Sequence, residues 1–313
     1  MRILITGGAG FIGSHVVDTF LEAGHEVAVL DNLSTGSRKN VNPAAEFYEV
    51  DVRDRDGVAR AFEAFQPEVV DHHAAQSEVP KSVADPVLDA EVNVVGGVNL
   101  LKASHDHGVR KFIFISTGGA LYGEPEQVPA PETHRIAPLS PYGTSKYCFE
   151  HYLGMFKRTF GLDFAVLRYA NIYGPRQDFM AEEGRVVAIF ASRMLGERPL
   201  TIDWDGEQAR DLLYVSDAAA ANLAALDAGS GQAYNIGSGV AVSVNEVFRR
   251  LSEITGYRHE PRRGPKRPGD VRRIALDCSK AAQDLGWKPK VPLERGLERT
   301  VEYFRQQPEL LAG

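Results

Sequence analysis

Tyr142 and Lys146 stand four residues apart in SPYGTSK (140–146), at the start of a stretch with helical spacing. Residues at i and i+4 share one face of a helix. An ammonium beside a phenol favours phenolate and lowers the phenol pKa from about 10 toward neutral. Such a phenol can take a proton from a hydroxyl while hydride leaves the same carbon. The plain alternative is an exposed tyrosine and a solvated lysine, which any helix can carry. Two hydroxyls, Ser116 and Thr117, end an apolar run in ISTGGALYG (115–123). Gly118, Gly119 and Ala120 follow, and none of them can transfer a proton. A site with tyrosine, lysine and a hydroxyl suits oxidation of an alcohol and reduction back, with no elimination between.

Hydride needs an acceptor. TGGAGFIG (6–13) sets Gly7, Gly10 and Gly13 between an apolar run and an amphipathic one. Gly7 permits a tight turn, Gly10 lets backbone approach a pyrophosphate, and Gly13 allows helix to pack on strand. An acid, Asp31, closes the next apolar run, at the distance of about 20 residues expected of a dinucleotide fold. A carboxylate there accepts from the ribose hydroxyls of NAD and repels the 2′-phosphate of NADP. The expected cofactor is NAD. Asp51 and Val52 end the third strand, where an adenine ring would lie, with Asp51 toward its amine.

The elements that position these groups follow from periodicity. RILIT (2–6), EVAVLD (26–31), FYEVDV (47–52), VVDHHAA (69–75) and KFIFIST (111–117) read as strands, and FAVLRYANIYG (164–174) as a strand running into a loop. Helical spacing covers 11–24, a stretch opened by Asp54, a long helix from Asp85-Pro86 through Leu100, and 141–160. Strands alternating with helices imply a doubly wound, Rossmann-type parallel sheet. After residue 175 a smaller α/β lobe is expected, with a helix at 185–195, strands at 209–215 and 232–237, a helix at 244–254, and a basic loop from Arg258 to Pro268. The expected division is 1–174 for the dinucleotide domain, joined again by segments near 205–230, and 175–313 mainly for the substrate lobe.

The chain has 313 residues, 43% hydrophobic and 25% charged, with net charge −7. That balance argues against a nucleic-acid partner. Cys148 and Cys278 are the only cysteines and read as unpaired thiols of a reducing compartment. No Cys/His spacing suggests a metal, and adjacent His72 and His73 would face opposite ways on a strand. MRILITGG opens without a signal sequence, and no apolar run reaches the roughly 20 residues that span a bilayer. The expectation is a cytoplasmic protein without a membrane partner.

TGGAGFIG, Asp31, HHAA (72–75), Asn93 in NVVG, STGGALYG, YGTSK, RYANIYGPRQ (168–177), RDLLYV (210–215), YNIGSG (234–239) and RPGD (267–270) together resemble the extended short-chain dehydrogenase/reductase family. The resemblance spans nearly the whole chain and is greatest to the UDP-glucose 4-epimerases. It implies Tyr142 as general base and Lys146 as its partner at the nicotinamide ribose. Thr117, or Ser116 in its place, would bind the reacting sugar hydroxyl. Around the dinucleotide it implies Phe11 and Ile12 beside the glycines; Asn32, Ser34, Thr35 and Gly36 after Asp31; His73, Ala74, Ala75 and Gln76 after the fourth strand; and Asn93, Ser116 and Tyr169. For the nucleotide sugar it implies Asn171, Arg176 and Val187, with Arg210 and Arg267 clamping the diphosphate and Asp270 near the ribose or diphosphate.

The implied reaction interconverts UDP-glucose and UDP-galactose by transient oxidation at C4. Ile274, at a position linked to sugar size, is intermediate in bulk, so the N-acetylated pair is a further expectation. Rivals are a UDP-glucuronate epimerase, for which Arg185 is the only candidate cation, a decarboxylase, or a non-enzymatic dinucleotide sensor. The family usually forms homodimers through a four-helix interface that includes the Tyr142 helix. Two residues depart from its pattern: Gly118 stands where many epimerases have serine, and His73, where leucine or phenylalanine is usual, is expected to pack beside the cofactor.

Overall fold

Buried apolar runs make the strands β1 (Arg2–Thr6), β2 (Glu26–Asp31), β3 (Glu46–Glu49), β4 (Val69–His72), β5 (Lys111–Thr117) and β6 (Asp163–Tyr169) of a computed structural model describing residues 1–179, 185–266 and 271–307. Between them lie α1 (Phe11–Glu22), α2 (Arg55–Phe65), α3 (Val79–Ala84), α4 (Pro86–Ala90), α5 (Gly97–Asp106), α6 (Gly118–Leu121) and α7 (Pro141–Phe160). Then come β7 (Asn171–Tyr173), α8 (Val186–Leu195), β8 (Thr201–Asp203), β9 (Ala209–Tyr214), α9 (Val215–Ala225), β10 (Gln232–Ile236), β11 (Ala241–Ser243), α10 (Val244–Thr255) and β12 (Arg262–Gly264). Helices at Ser279–Asp284 and Leu293–Arg305 complete the described chain.

The large sheet has seven strands in the order β10-β6-β5-β4-β1-β2-β3, all parallel. Both faces are covered, which is why its strands are near-continuous apolar runs. Ile5, Val17, Phe20, Leu167 and Ala218 build the core on the α1/α9 face; Leu4, Phe62, Phe112 and Phe149 build the other. Chain order reverses between β1 and β4, which opens a crevice at their carboxyl ends.

Caps act where local signals predict them. The Asp54 side chain accepts from the Gly57 N–H at 3.0 Å, Asp85 from Leu88 at 3.0 Å, and Ser140 from Gly143 at 3.2 Å. The stretch after Asp85 is not one regular helix. A π-helical turn over Glu91–Gly96 separates α4 from α5, and the helix runs on to Asp106. FAVLRYANIYG also divides. Tyr169 pairs with Ile236 of β10, while Asn171 pairs with Leu212 of β9 in a second sheet, ordered β11-β9-β7. The basic stretch expected as loop contains β12, parallel to β8, where Gly264 pairs with Asp203. The smaller lobe packs α8 and α10 around Val187, Phe190, Leu200, Leu251 and Phe304. Among the described residues no helix is long and apolar enough to cross a membrane.

Candidate active site

The crevice between β1 and β4 begins at Gly7, whose φ is +71°. A Cβ there would lie 2.6 Å from the Ala74 nitrogen, and one on Gly13 would lie 2.3 Å from the Gly7 carbonyl oxygen. Gly10 caps α1 without any side-chain bond, so Phe11 and Ile12 open the helix with backbone N–H groups directed at the crevice. Asp31 is buried at the end of β2. Its two oxygens accept from Ala9 N (3.0 Å) and Leu33 N (2.8 Å), while burial raises its pKa against those bonds. The carboxylate is thus held rigidly beside the glycine turn. These features fit a dinucleotide: close backbone, free helix N–H groups and an oriented acceptor.

Asn32, Ser34 and Thr35 are exposed next to it, and Gly36 packs against Ala9. Asp51 is already engaged. Arg53 pairs with it through Nη2 at 2.8 Å, Asn32 donates to it at 2.8 Å, and the Arg53 bonds hold its carboxyl down at about 2. Val52 is buried under Gly96. Ala74 N donates to Thr6 Oγ1 at 3.2 Å, and Ala75 follows at the crevice wall. His73 does more than pack: its Nε2 lies 3.2 Å from Oδ1 of the fully buried Asp71. His72 faces the other way, against Thr6 Oγ1 at 2.7 Å and the rings of Phe112, Phe114 and Phe149, where burial holds it neutral. The Tyr169 side chain is not in the crevice. It is turned into the core and bonds Asn222, because strand alternation points it toward α9.

Tyr142 and Lys146 lie in the first two turns of α7, which a close contact docks against α6: a Cβ on Gly143 would lie 2.7 Å from the Ala120 carbonyl oxygen. The Tyr142 phenol lies beside Thr117, whose Oγ1 accepts from Ala120 N at 3.2 Å. Ser116 points elsewhere and donates to Glu150 at 2.6 Å, within a buried pair of Glu150 with Arg168. The two hydroxyls left open by the sequence are therefore separated, and Thr117 alone meets Tyr142. Gly118 has a steric cause, since a Cβ there would lie 2.4 Å from Leu276.

The electrostatics differ from expectation. Burial pushes the Tyr142 phenol up to about 12, against its Thr117 bond and with the Asp89 charge adding to the rise. Lys146 is itself pushed down to about 7 by burial, which Asp89 and Glu150 oppose. Its Nζ donates to the Ile115 carbonyl at 2.8 Å and sits 4.7 Å over the Phe114 ring. In the chain by itself, the lysine does not bring the phenol to neutrality. Asp89 is the residue missed from the sequence. It is buried and accepts from Asn93 (3.0 Å) and Gln76 (3.2 Å); Asn93 also donates to Ser145 at 3.2 Å. Its i, i+4 spacing to Asn93 was a readable signal.

Asn171 lies beside α6, its Oδ1 3.4 Å from where a Gly119 Cβ would be. Arg210 donates to the carbonyls of Ala209 and Val271 rather than to Asp211, which instead caps the 238–239 turn by accepting from Ser238 N at 2.7 Å and Gly239 N at 3.0 Å. Arg176 pairs with Asp18 of α1 at 2.7 Å, on the dinucleotide side. Val187 is 2% exposed, so its side chain belongs to the lobe core and not to an open site. Arg185 is held by Asp178 (2.8 Å) and Glu78 (3.6 Å). Ile274 is buried against Tyr122, Ala130 and Leu276. Arg267 and Asp270 lie outside the described residues. Among the described residues, no group of three or more His, Cys, Asp or Glu could hold a metal.

Comparison with known proteins gives the same picture. The UDP-glucose 4-epimerase of Mycolicibacterium smegmatis is 43% identical, covering 99% of this chain and 100% of that protein. The crystal structure of UDP-glucose 4-epimerase with UDP-glucose from Thermotoga maritima superposes with a TM-score of 0.97 at 52% identity, covering 98% of this chain and 100% of that one. The Thermus thermophilus UDP-glucose 4-epimerase complex with NAD does so with a TM-score of 0.92 at 48% identity, over 97% and 99%. The profile of the NAD dependent epimerase/dehydratase family matches residues 3–237, through the whole glycine turn, the Thr117 strand and the Tyr142 helix. With a match of that extent, the chain belongs to the NAD-dependent epimerase/dehydratase family.

Proposed function

We infer that the chain is a UDP-glucose 4-epimerase, interconverting UDP-glucose and UDP-galactose by oxidation at C4 and reduction from the other face. The observation that carries this reading is the Tyr142–Thr117 hydroxyl pair beside Lys146, with only Gly118, Gly119 and Ala120 next to it. None of those three residues can protonate a leaving group, so none of them would serve as the acid of an elimination. Bound NAD supplies a reversible two-electron acceptor for the C4 hydride. The glycine turn and α1 N-terminus hold its pyrophosphate, Asp31 its adenosine ribose, and Lys146 its other ribose. Tyr142 takes the 4-hydroxyl proton and returns it, and Thr117 orients that hydroxyl. Asn171, Arg210 and Arg267 keep the diphosphate anchored while the pyranose turns.

Incubating the purified protein with UDP-glucose should give UDP-galactose at unchanged mass. A loss of water or carbon dioxide would replace this reading with a dehydratase or a decarboxylase. The same assay on UDP-N-acetylglucosamine tests whether the larger sugar is accepted; no turnover there restricts the enzyme to the unsubstituted pair. Arg185 is committed to two acids, which disfavours a uronate substrate.

The enzyme is also read as a homodimer. Val79, Val83, Val87, Val95 and Tyr152 are 41%, 61%, 66%, 53% and 36% exposed on neighbouring α3, α4, the π turn and α7. An apolar strip of that kind on packed helices fits a self-complementary two-fold contact. Val83→Glu combined with Val87→Glu should convert a dimer to a monomer in sedimentation velocity; an unchanged sedimentation coefficient would reject the surface. The free thiols Cys148 and Cys278 favour a cytoplasmic setting.

A further inference from the structure

We propose that Glu150 and Arg168 form a positioning pair that aims the Tyr142 phenol at Thr117. This role rests on the reading of Tyr142 as the base. Tyr142, Lys146 and Glu150 recur at every fourth residue of α7, so they share one face. That face lies against the tip of β5, where consecutive residues meet it. Thr117 lies beside Tyr142. The Ile115 carbonyl accepts from Lys146 Nζ at 2.8 Å, and Ser116 Oγ donates to Glu150 Oε1 at 2.6 Å.

The Glu150 rung is fixed from β6. Ser116 and Arg168 are register partners on β5 and β6, and both converge on Glu150. Arg168 Nε donates to Oε1 at 3.0 Å and Nη2 to Oε2 at 2.6 Å, a fork between side chains only 7% and 9% exposed. Its remaining nitrogen, Nη1, donates to the Tyr122 hydroxyl at 3.0 Å and to the Glu132 carbonyl at 3.4 Å. Tyr122 directly follows α6, and its hydroxyl donates to Asn235 Oδ1 on β10 at 2.7 Å. Gly143 of α7 docks on that same α6, against the Ala120 carbonyl. One guanidinium therefore holds α7 at Glu150 and also holds the seat of its first turn.

The consequence follows from treating α7 as a rod. A helix rises about 1.5 Å per residue, so Tyr142 and Glu150 stand about 6 Å to either side of Lys146. Held at Lys146 alone, the rod can pivot, and a shift at Glu150 returns as an equal and opposite shift at Tyr142. The fork from Arg168 removes that freedom. Lysine cannot replace it, because an ammonium lacks the planar fork that meets a carboxylate with two parallel bonds.

Arg168→Lys and Glu150→Asp each keep the charges balanced, so no buried ion is left without a partner. Each should lower kcat by about tenfold or more, the effect of a small misplacement of a reacting group. KM for UDP-glucose and the NAD content should be unchanged. Each is then combined with Tyr142→Phe. A device that works by aiming the phenol has nothing left to aim, so neither substitution should lower kcat further in that background. Losses that multiply in full with that of Tyr142→Phe would make the pair merely structural and overturn the proposal. An unchanged kcat in Glu150→Asp would do the same, and this variant decides alone should Arg168→Lys not fold. Failure of the underlying reading looks different: Tyr142→Phe by itself would then turn over at a near-normal rate.

Discussion

Tyr142→Phe should lower turnover by about 10²- to 10⁴-fold, the usual worth of a positioned general base. In barrier terms that is about 3 to 5 kcal/mol. The substitution removes one oxygen and keeps the ring, so α7 should dock as before. The phenol lies beside Thr117 at the end of β5, while the other hydroxyl of that strand, Ser116, is turned away to Glu150. Binding of UDP should be unaltered by calorimetry, since the diphosphate contacts proposed here lie on other elements. The nucleotide released on denaturation should also be retained. Near-normal turnover in this variant would remove Tyr142 as the base.

Gly7→Ala should produce the largest loss of cofactor. The residue sits at φ +71°, where an L side chain costs about 1–2 kcal/mol. Its new methyl would also lie 2.6 Å from the Ala74 nitrogen and 2.8 Å from the His73 carbonyl carbon. Both are backbone atoms at the end of β4, so the crevice wall itself must move. We expect at least a tenfold fall in NAD content after purification, together with a lower Tm. Gly24→Ala separates strain from clash. It shares a positive φ of +81° but has nothing within 4 Å of the added carbon, so its NAD content should be unchanged. Equal cofactor loss in both variants would show that backbone strain, and not the approach to Ala74, is responsible.

What the sequence made legible was whatever a local rule encodes. The helix 141–160 begins at Ser140-Pro141 and ends at Gly161 in the left-handed region, all written within the segment. The alternation of strands and helices likewise brought β1, β2, β4 and β5 into one parallel sheet. What stayed hidden depends on partners far along the chain. RYANIYG carries no mark at Ala170, yet β10 holds one side of it and β9 takes the other. The resemblance implies Tyr169 at the dinucleotide, whereas alternation and Asn222 decide where its phenol goes. The pairing of Arg168 with Glu150 fixes which way Ser116 turns, and neither residue sits near it in sequence. The charge balance at Tyr142 also depends on tertiary surroundings. Spacing identifies a lysine on the same face, but burial of both groups outweighs their proximity.

The late strand β10 runs the length of β6, and α9 covers α1, so stretches from beyond residue 210 complete the dinucleotide half. A fragment ending near Gly174 would bare the β6 edge and the apolar flank of α1, inviting self-association instead of an independent module. A single breakpoint near Gly174 would therefore part β6 from the strand that covers its edge. An exchange of lobes that keeps the sheet closed has to carry the returning strand along.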